Sequence, residues 1–347
     1  MKKIVLAIGL FFVTFMFVGC NGNSSTTLST NGNDDNSKVL VYMSGPEVMI
    51  NSLESTFEET HGDVLDITIL SCGQLRDKVW TESQSGEIEA DIFFGSDPIL
   101  FNKLDDQNKL EELSLTELDM ISSSYKVNDH NYAFVVDRYI VMMATSDSNR
   151  LSVIPESYED LKEDVYKGKI SMADASLSAT AFAIASAIYD LKGRNMNYFE
   201  NLSKNSLILS KSNGNVPSGI LDGTYDLGIA PHDSYIRLKK KAVKDGYDLN
   251  LTMIWPSEGA IAIQRPIAIS KKASRSEEKL NICNDFVNFL LSKQGQTIQY
   301  NNGFVSVRTD IENTYLPNSV TVKSIDWEYA ASHEAEFKTA YDDLFKS

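Results

Sequence analysis

Strand-like and helix-like segments alternate from residue 38 onward, and this alternation restricts the chain to a small set of folds. Residues 38–43 are apolar and rich in strand formers, and Pro46 then introduces apolar residues at helical spacing. Further strands are predicted at 65–70 and 90–94, with a helix from residue 74 to about residue 82 between them. This order predicts an α/β fold whose parallel sheet has right-handed crossovers.

The same alternation continues through the middle of the chain. Strands predicted at 132–136 and 139–145 suit a crossing between two lobes, and 260–270 is predicted to carry the chain back. The pattern also predicts a helix over 179–191 and a single long helix over 277–300.

The length of the folded part predicts two lobes, because roughly 270 residues exceed what one core usually holds. Aromatic residues near the end predict a helix packed back onto a lobe. The predicted organisation is a signal peptide (1–19), a tether (20–37), the first part of lobe 1 (38–136), lobe 2 (137–259), a return to lobe 1 (260–309) and a C-terminal extension (310–347).

The first twenty residues have the features of an export signal. Two lysines precede an apolar run that is shorter than the roughly 20 residues a membrane-spanning helix needs. Phe17-Val18-Gly19-Cys20 resembles the bacterial lipobox, which predicts lipidation of Cys20; an ordinary secretory signal is the alternative. The polar segment 21–37 reads as a flexible tether. We expect a protein anchored by lipid to a membrane, at the periplasmic or extracellular face of the cell envelope.

The formal net charge of −16 argues against a nucleic-acid partner. It does not exclude a local anion site, because such sites use backbone N–H groups and helix dipoles. Cys72 and Cys283 could form one disulfide, although free thiols are the preferred interpretation and their spacing does not resemble a metal site. We expect a monomer.

Three polar loops are predicted at the ends of strands, where open parallel sheets bind their ligands. Helix N-termini in such loops can hold a phosphate or a carboxylate together with hydroxyl groups. Each serine could instead serve only as a helix cap. Convergence of three loops favours a binding role for Ser44, Gly45, Ser71, Gly73, Ser176, Ser178 and Thr180.

Five short motifs follow one another along the chain: Val41-Tyr-Met-Ser44, Tyr166-Lys-Gly-Lys-Ile170, Asp222-Gly-Thr-Tyr-Asp-Leu-Gly-Ile229, Trp255-Pro-Ser-Glu-Gly259 and Phe289-Leu-Leu-Ser-Lys-Gln-Gly-Gln296. In this order they resemble the type 2 periplasmic solute-binding proteins of ABC importers, in the branch with ferric-iron and organophosphate or aminoethylphosphonate binders. The resemblance covers about residues 38–309 and implies two lobes joined by a hinge, with the ligand in the cleft between them. It also implies a membrane permease and its ATPase as partners.

The resemblance leaves the solute open between ferric iron and an oxyanion-bearing molecule. Ferric-iron members of the branch use two adjacent tyrosines, whereas this chain has Tyr235 preceded by His232 and Asp233. Fe(III) would accept all three side chains as ligands. For an aminophosphonate, the loop hydroxyls would hold the phosphonate while Asp233 and Glu258 neutralise the amine. Asp233 could instead cap a helix, and Tyr235 could instead pack on it.

Enzymatic motifs are absent from the sequence: it has no Gly-x-Ser-x-Gly elbow, His-Glu-x-x-His motif, P-loop or dinucleotide fingerprint. The alternative function is a lipid-anchored hydrolase acting on phosphoesters, for which no nucleophile and base can be nominated. We therefore expect a non-enzymatic solute-binding lipoprotein that needs no cofactor and captures ferric iron, a phosphonate or an organophosphate.

Overall fold

The computed structural model describes residues 38–126 and 129–346. The predicted signal peptide, the lipidation site at Cys20 and the tether lie outside the described residues. None of the helices described has both the length and the apolar character that crossing a membrane requires.

Within the described residues, the strands form one mixed sheet of eleven strands, and its main order is β2-β1-β3-β9-β4-β7-β5-β6. The strands are β1 (Val39–Met43), β2 (Leu65–Ile69), β3 (Ile92–Phe94), β4 (Tyr132–Thr145), β5 (Ile170–Ala173), β6 (Ile208–Ser210), β7 (Leu227–Pro231), β8 (Leu251–Ile254), β9 (Ala260–Ile269), β10 (Val305–Ser306) and β11 (Val322–Lys323). β1 runs parallel to β2 and β3, and β5 runs parallel to β6 and β7, which confirms the predicted parallel pairing. Antiparallel β4 and β9 join the two parallel groups.

Helices cover the faces of the sheet and define two lobes. They are α1 (Glu47–His61), α2 (Cys72–Ser85), α3 (Pro98–Asp106), α4 (Ala179–Leu191), α5 (Asn197–Lys204), α6 (Asn215–Asp222), α7 (His232–Asp245), α8 (Glu277–Leu291), α9 (Lys293–Asn301), α10 (Trp327–Ser332) and α11 (Glu334–Phe345). We call β1–β3 with α1–α3, α8 and α9 the first lobe, and β5–β8 with α4–α7 the second lobe. Phe57 and Phe286 are buried in the core of the first lobe, and Phe182 and Phe199 in that of the second.

The two strands predicted at 132–136 and 139–145 are one continuous strand, β4. A bulge between Phe134 and Val136 shifts its register against β9 but does not end the pairing. The early part of β4 pairs with β9, and its later part pairs with β7 and β8. β4 and β9 are thus the long strands that connect the lobes.

The single helix predicted over 277–300 is two helices, α8 and α9, separated at Ser292. The backbone of Ser292 is extended (φ −65°, ψ 162°), and its hydroxyl accepts a hydrogen bond from the backbone N–H of Gly295 at 3.2 Å. Ser292 therefore caps a new helix. The apolar stripe continues across the break, which is why periodicity alone did not reveal it.

Gly295→Ala is expected to destabilise the fold. A β-carbon at Gly295 would lie 2.2 Å from the backbone oxygen of Phe289, so the turn between α8 and α9 would have to move. Forced overpacking of this kind costs about 1–3 kcal/mol. Urea unfolding should show a lower midpoint, whereas the control Gly214→Ala, whose β-carbon would meet nothing nearer than 3.8 Å, should change little. Equal midpoints for both variants would contradict this account of the turn.

The C-terminal extension forms two helices, α10 and α11, rather than the one expected. Trp327 donates a hydrogen bond from Nε1 to Gln264 Oε1 of β9 at 2.7 Å, and Phe337 and Tyr341 are buried in the core of the second lobe. The Glu334 carboxylate pairs with Arg76 and Lys103 of the first lobe. The extension therefore contacts both lobes.

Candidate ligand-binding site

Arg265 lies within β9 and is completely buried, with 0% of its surface exposed. Its guanidinium carbon is 4.6 Å from the ring centroids of both Phe94 and Phe304, and Nη2 donates to the backbone oxygen of Ser44. Nε and Nη1 have no protein acceptor within hydrogen-bond distance. Because buried arginines are normally paired, these N–H groups indicate a position suited to an anionic acceptor.

Arg138, on the neighbouring strand β4, contributes a second buried guanidinium. Its guanidinium carbon is 5.1 Å from the centroid of the same Phe304 ring. Its Nε has no hydrogen-bond acceptor, the nearest carboxylate oxygen being Asp233 Oδ1 at 3.6 Å. Burial lowers the pKa of Arg265, and the charge of Arg138 lowers it further. Two guanidinium groups held this close favour an anion bound between them.

Loops of both lobes reach these arginines through Ser44, Cys72 and Thr180. The Cys72 thiol, in the first turn of α2, donates to Ser44 Oγ at 3.4 Å. Thr180, in the first turn of α4, is buried, and its hydroxyl has no protein partner within hydrogen-bond distance. We call Ser44, Cys72, Arg138, Thr180 and Arg265 the two-arginine site.

The charges of the site act on the Cys72 thiol. Burial raises the pKa of Cys72, but the guanidinium groups of Arg138 and Arg265 and the hydroxyl of Ser44 lower it more. The net result is a thiol pKa below its ordinary value. The site therefore stabilises negative charge at the sulfur atom.

Two glycines predicted for the site allow close backbone approach. A β-carbon at Gly73 would lie 3.2 Å from the backbone oxygen of Leu177, so the first turn of α2 touches the loop before α4. A β-carbon at Gly45 would lie 3.5 Å from Arg265 Nη2. The lobes are thus in contact beside the two-arginine site, and Gly45 lies next to the guanidinium of Arg265 and to the side chain of Met49.

Three of the predicted serines are used elsewhere. The hydroxyls of Ser71 and Ser178 accept backbone N–H groups three residues later, at 3.2 and 3.3 Å, and so cap α2 and α4. Ser176 donates to Asp342 of α11 at 2.6 Å. In this structure the hydroxyls of these three serines therefore cap helices or bind another side chain, as the alternative to a ligand-binding role expects.

Glu258 does not join the two-arginine site. Its Oε2 accepts from the backbone N–H of Tyr158 at 3.0 Å, and its Oε1 accepts from that of Glu159 at 3.1 Å. Lys192 Nζ lies 2.9 Å from the same Oε1. The expectation that Glu258 neutralises a ligand amine is therefore corrected: the carboxylate holds a turn of the second lobe and is already paired with a lysine.

Asp233 lies beside the two-arginine site but is already neutralised. It is 1% exposed and pairs with Arg138 and with Arg237, one turn later on α7. Burial raises its pKa, but the two guanidinium groups lower the pKa of this carboxyl far more, to well below its usual range. The carboxylate thus balances charge between arginines, which leaves it poorly placed to serve as an N-cap or as a free metal ligand.

His232 and Tyr235 do not converge with Asp233 on a metal position. Burial lowers the pKa of His232 to about 4, and its Nδ1 accepts from the backbone N–H of Tyr139 at 3.0 Å. Tyr235 is half-buried and packs on the second lobe, with Lys239 Nζ 5.9 Å from its ring centroid. Across residues 38–126 and 129–346, no three His, Cys, Asp or Glu side chains are arranged to hold a metal ion.

The two arginines were missed by the sequence analysis, although a signal existed. Arg265 is the single charged residue in the strand Ala260-Ile-Ala-Ile-Gln-Arg-Pro-Ile-Ala-Ile269, and Arg138 stands in the similarly apolar strand β4. A lone arginine inside an apolar strand predicts a buried charge, which proteins retain for binding or pairing. Cys72 was noted only as a thiol, and it proves to be partly exposed rather than buried.

Asp137, next to Arg138, is expected to make stability depend on pH. It is fully buried, and it accepts from Tyr125 Oη at 2.8 Å and from the backbone N–H of Arg138 at 2.9 Å. Burial raises its pKa to about 7 despite the lowering effect of these bonds. The folded state therefore holds a proton that the unfolded chain, with a pKa of about 3.9, releases, and stability falls as pH rises from about 4 to 7.

Asp137→Asn should remove this pH dependence and stabilise the protein above about pH 7, because the amide resembles the protonated acid. Each unit of pKa shift corresponds to about 1.36 kcal/mol. Urea unfolding between about pH 4 and 8 measures the slope. Asp106→Asn, at an exposed aspartate, is the control and should leave the slope unchanged. A wild-type slope in the Asp137 variant would contradict the assignment.

Comparison with known proteins agrees with the fold. The model of the family described as bacterial extracellular solute-binding protein matches residues 88–333. AfuA from Actinobacillus pleuropneumoniae, solved with exogenous fructose-6-phosphate bound, is 21% identical with a TM-score of 0.76, covering 89% of this chain and 98% of its own. No curated protein sequence is significantly similar.

Two solved iron-related proteins share the fold to a similar degree. The ferric binding protein from Campylobacter jejuni is 20% identical with a TM-score of 0.73, covering 89% of this chain and 99% of its own. Iron-bound HitA from Pseudomonas aeruginosa is 16% identical with a TM-score of 0.72, at the same coverages. These likenesses confirm the predicted two-lobe α/β fold of periplasmic binding proteins; at such identities they do not specify a ligand.

Proposed function

This chain belongs to the bacterial extracellular solute-binding proteins, and from that premise we propose that it captures a phosphate monoester and delivers it to an ABC permease with its ATPase. The family consists of binding proteins, so the expectation of a non-enzymatic protein is confirmed and the phosphoester hydrolase is not proposed. The observation that carries the ligand class is the fully buried Arg265, whose Nε and Nη1 have no protein acceptor.

The donors of the two-arginine site suit a phosphoryl group. Nε and Nη1 of Arg265 and the Thr180 hydroxyl have no protein partner within hydrogen-bond distance, and Nε of Arg138 has only the Asp233 carboxylate, at 3.6 Å. A phosphoryl group offers three terminal oxygens, and arginine binds it through two parallel hydrogen bonds. The first turns of α2 and α4 add unpaired backbone N–H groups and a favourable dipole.

The residues of the two-arginine site come from both lobes and from the strands between them. Cys72 and Ser44 belong to the first lobe, Thr180 to the second, and the arginines to β4 and β9. A phosphoryl group that contacts all of them binds the closed arrangement more tightly than an open one. The difference between the affinities of the closed and the open arrangement for the phosphoryl group drives closure. AfuA, which has the same fold, was solved with fructose-6-phosphate bound, and a sugar phosphate is consistent with this chemistry.

Ferric iron is the less favoured solute. Two guanidinium groups repel a trivalent cation, and Asp233 is already paired with Arg138 and Arg237. Tyr235 packs on the second lobe rather than beside these groups. The likeness to ferric-binding proteins concerns the fold, whereas the charge of this site favours an anion.

A ligand screen tests the proposal. Thermal unfolding of the purified protein is measured with fructose-6-phosphate, glycerol phosphate, inorganic phosphate, aminoethylphosphonate and ferric citrate. A solute at 100 times its dissociation constant adds about 2.7 kcal/mol of stability. We expect a phosphate monoester to stabilise the protein most, with saturable binding and no turnover. Stabilisation by ferric salts alone, with a visible absorption band, would overturn the proposal.

We further propose that the protein is a monomer held at the outer face of a membrane by lipid on Cys20. The lipobox-like sequence and the polar segment after it support this arrangement. In cells, Cys20→Ser is expected to move the protein from the membrane fraction to the soluble fraction and to abolish labelling by a fatty acid. Membrane association that survives the substitution would refute the anchor.

A further inference from the structure

The described residues contain two free cysteines in opposite environments. Cys283 is fully buried in the first lobe, and burial raises the pKa of its thiol. Cys72 is partly exposed and belongs to the two-arginine site. Reactive thiols in proteins occupy partly exposed, electropositive surroundings, whereas buried structural thiols are inert.

Groups other than Cys72 itself also make its surroundings suitable for an anion. The buried Thr180 hydroxyl and Nε and Nη1 of Arg265 lack protein partners. Ser44 connects the two sides of the site: its hydroxyl accepts from the Cys72 thiol at 3.4 Å, and its backbone oxygen accepts from Arg265 Nη2. Oxygen atoms added to the sulfur would therefore lie next to unused hydrogen-bond donors.

We propose that Cys72 is a site of oxidation by hydroperoxides, and that the sulfinate formed there occupies the two-arginine site and blocks solute binding. Oxidation at Cys72 stands on the geometry of the thiol, while blockage rests on the proposed function. A sulfinate carries one negative charge and two acceptor oxygens, which is the chemistry that the guanidinium groups and the Thr180 hydroxyl accept.

The chemistry proceeds in two steps. The Cys72 thiolate attacks one oxygen of hydrogen peroxide, an S–O bond forms, the O–O bond breaks, and the second oxygen leaves as hydroxide, which is protonated to water. The product is a sulfenic acid, with sulfur oxidised by two electrons. A second peroxide molecule repeats the attack and yields the sulfinate, one proton and one water. The donors of the two-arginine site stabilise the negative charge at each stage.

The test treats the full protein with hydrogen peroxide and maps each cysteine by peptide mass spectrometry. We expect Cys72 to gain two oxygen atoms while Cys283 stays unmodified, and iodoacetamide to alkylate Cys72 at least about tenfold faster than Cys283. Prior saturation with fructose-6-phosphate should slow both reactions at Cys72. Equal reactivity of the two cysteines, or an unreactive Cys72, would overturn the proposed modification site.

Binding of fructose-6-phosphate is then measured by calorimetry before and after oxidation. Oxidised protein should bind at least about tenfold more weakly, a change of about 1.4 kcal/mol. Cys72→Ala should bind equally before and after peroxide, and Cys72→Asp, which places a carboxylate there, should bind as weakly as oxidised protein. Unchanged binding by protein oxidised at Cys72 would overturn the blockage.

The two proposals fail in distinguishable ways. If untreated protein binds no oxyanion, the proposed function fails, yet the mass map and the alkylation rates still decide whether Cys72 is a site of oxidation. If oxyanion binding is present and Cys72 is inert, only the further inference fails.

Discussion

Arg265→Met is expected to abolish binding of a phosphate monoester while leaving the protein folded. Arg265 is fully buried between Phe94 and Phe304, so methionine keeps an apolar chain of similar length in contact with both rings. Replacing a buried charge with an apolar side chain of similar volume is often neutral or stabilising. Losing the guanidinium removes the charge and the two N–H groups that lack protein acceptors.

We expect affinity to fall at least about 100-fold, which corresponds to about 2.7 kcal/mol. Arg265→Lys should lose less, because it keeps the charge but not the planar fork of donors. Calorimetry measures the affinity, and thermal unfolding verifies the fold. Arg275→Met is the control, since Arg275 is exposed and pairs with Glu87 away from the site. Wild-type affinity in a folded Arg265→Met protein would refute the role of Arg265.

Asp233→Asn is expected to lower stability at neutral pH by about 3–5 kcal/mol, the usual cost of removing one partner of a buried ion pair. The change leaves Arg138 and Arg237 without their carboxylate. Because these guanidinium groups hold the pKa of Asp233 well below its usual range, its contribution is full above the unfolded pKa of about 3.9. It is lost as pH falls through the lower folded pKa.

Urea unfolding at pH 7 and near pH 3 therefore gives a large difference between wild type and variant at pH 7 and a smaller one in acid. Asp245→Asn is a matched control on the same helix, at a more exposed aspartate paired with Lys241, and should change stability little. Affinity for a plain phosphate should not decrease in Asp233→Asn, because the site becomes more positive. Weaker phosphate binding by folded variant protein would contradict the assigned charge balance.

Local patterns predicted most of the fold because a few consecutive residues are enough to indicate most of its strands and helices. The alternation from residue 38 onward predicted the parallel pairs around β1, and the small residues before α4 predicted its start. The predicted boundaries were wrong where the local sequence pattern does not change at the point where a helix ends, or changes within a strand that continues. The break at Ser292 interrupts a continuing apolar stripe, and β4 absorbs a bulge without ending.

The site was only partly predictable. Ser44, Gly45, Gly73 and Thr180 lie where the loops were expected to converge, whereas Ser71 and Ser178 cap helices and Glu258 pairs with Lys192. A hydroxyl in a loop reads the same in the sequence whether it binds a ligand or a backbone N–H. The choice depends on which groups the fold brings within hydrogen-bond distance.

The sequence by itself determined the α/β class, the order of most elements and the resemblance that family membership confirmed, because these depend on periodicity and short motifs. Only the tertiary structure decided the chemistry of the site. Arg138 and Arg265 are far apart in the chain, and the antiparallel register that pairs Val136 with Arg265 and Arg138 with Ile263 brings them together. Burial then strengthens the electrostatic interaction of these guanidinium groups with an anion and leaves their unpaired N–H groups in need of an acceptor. Burial is a property of the folded chain alone.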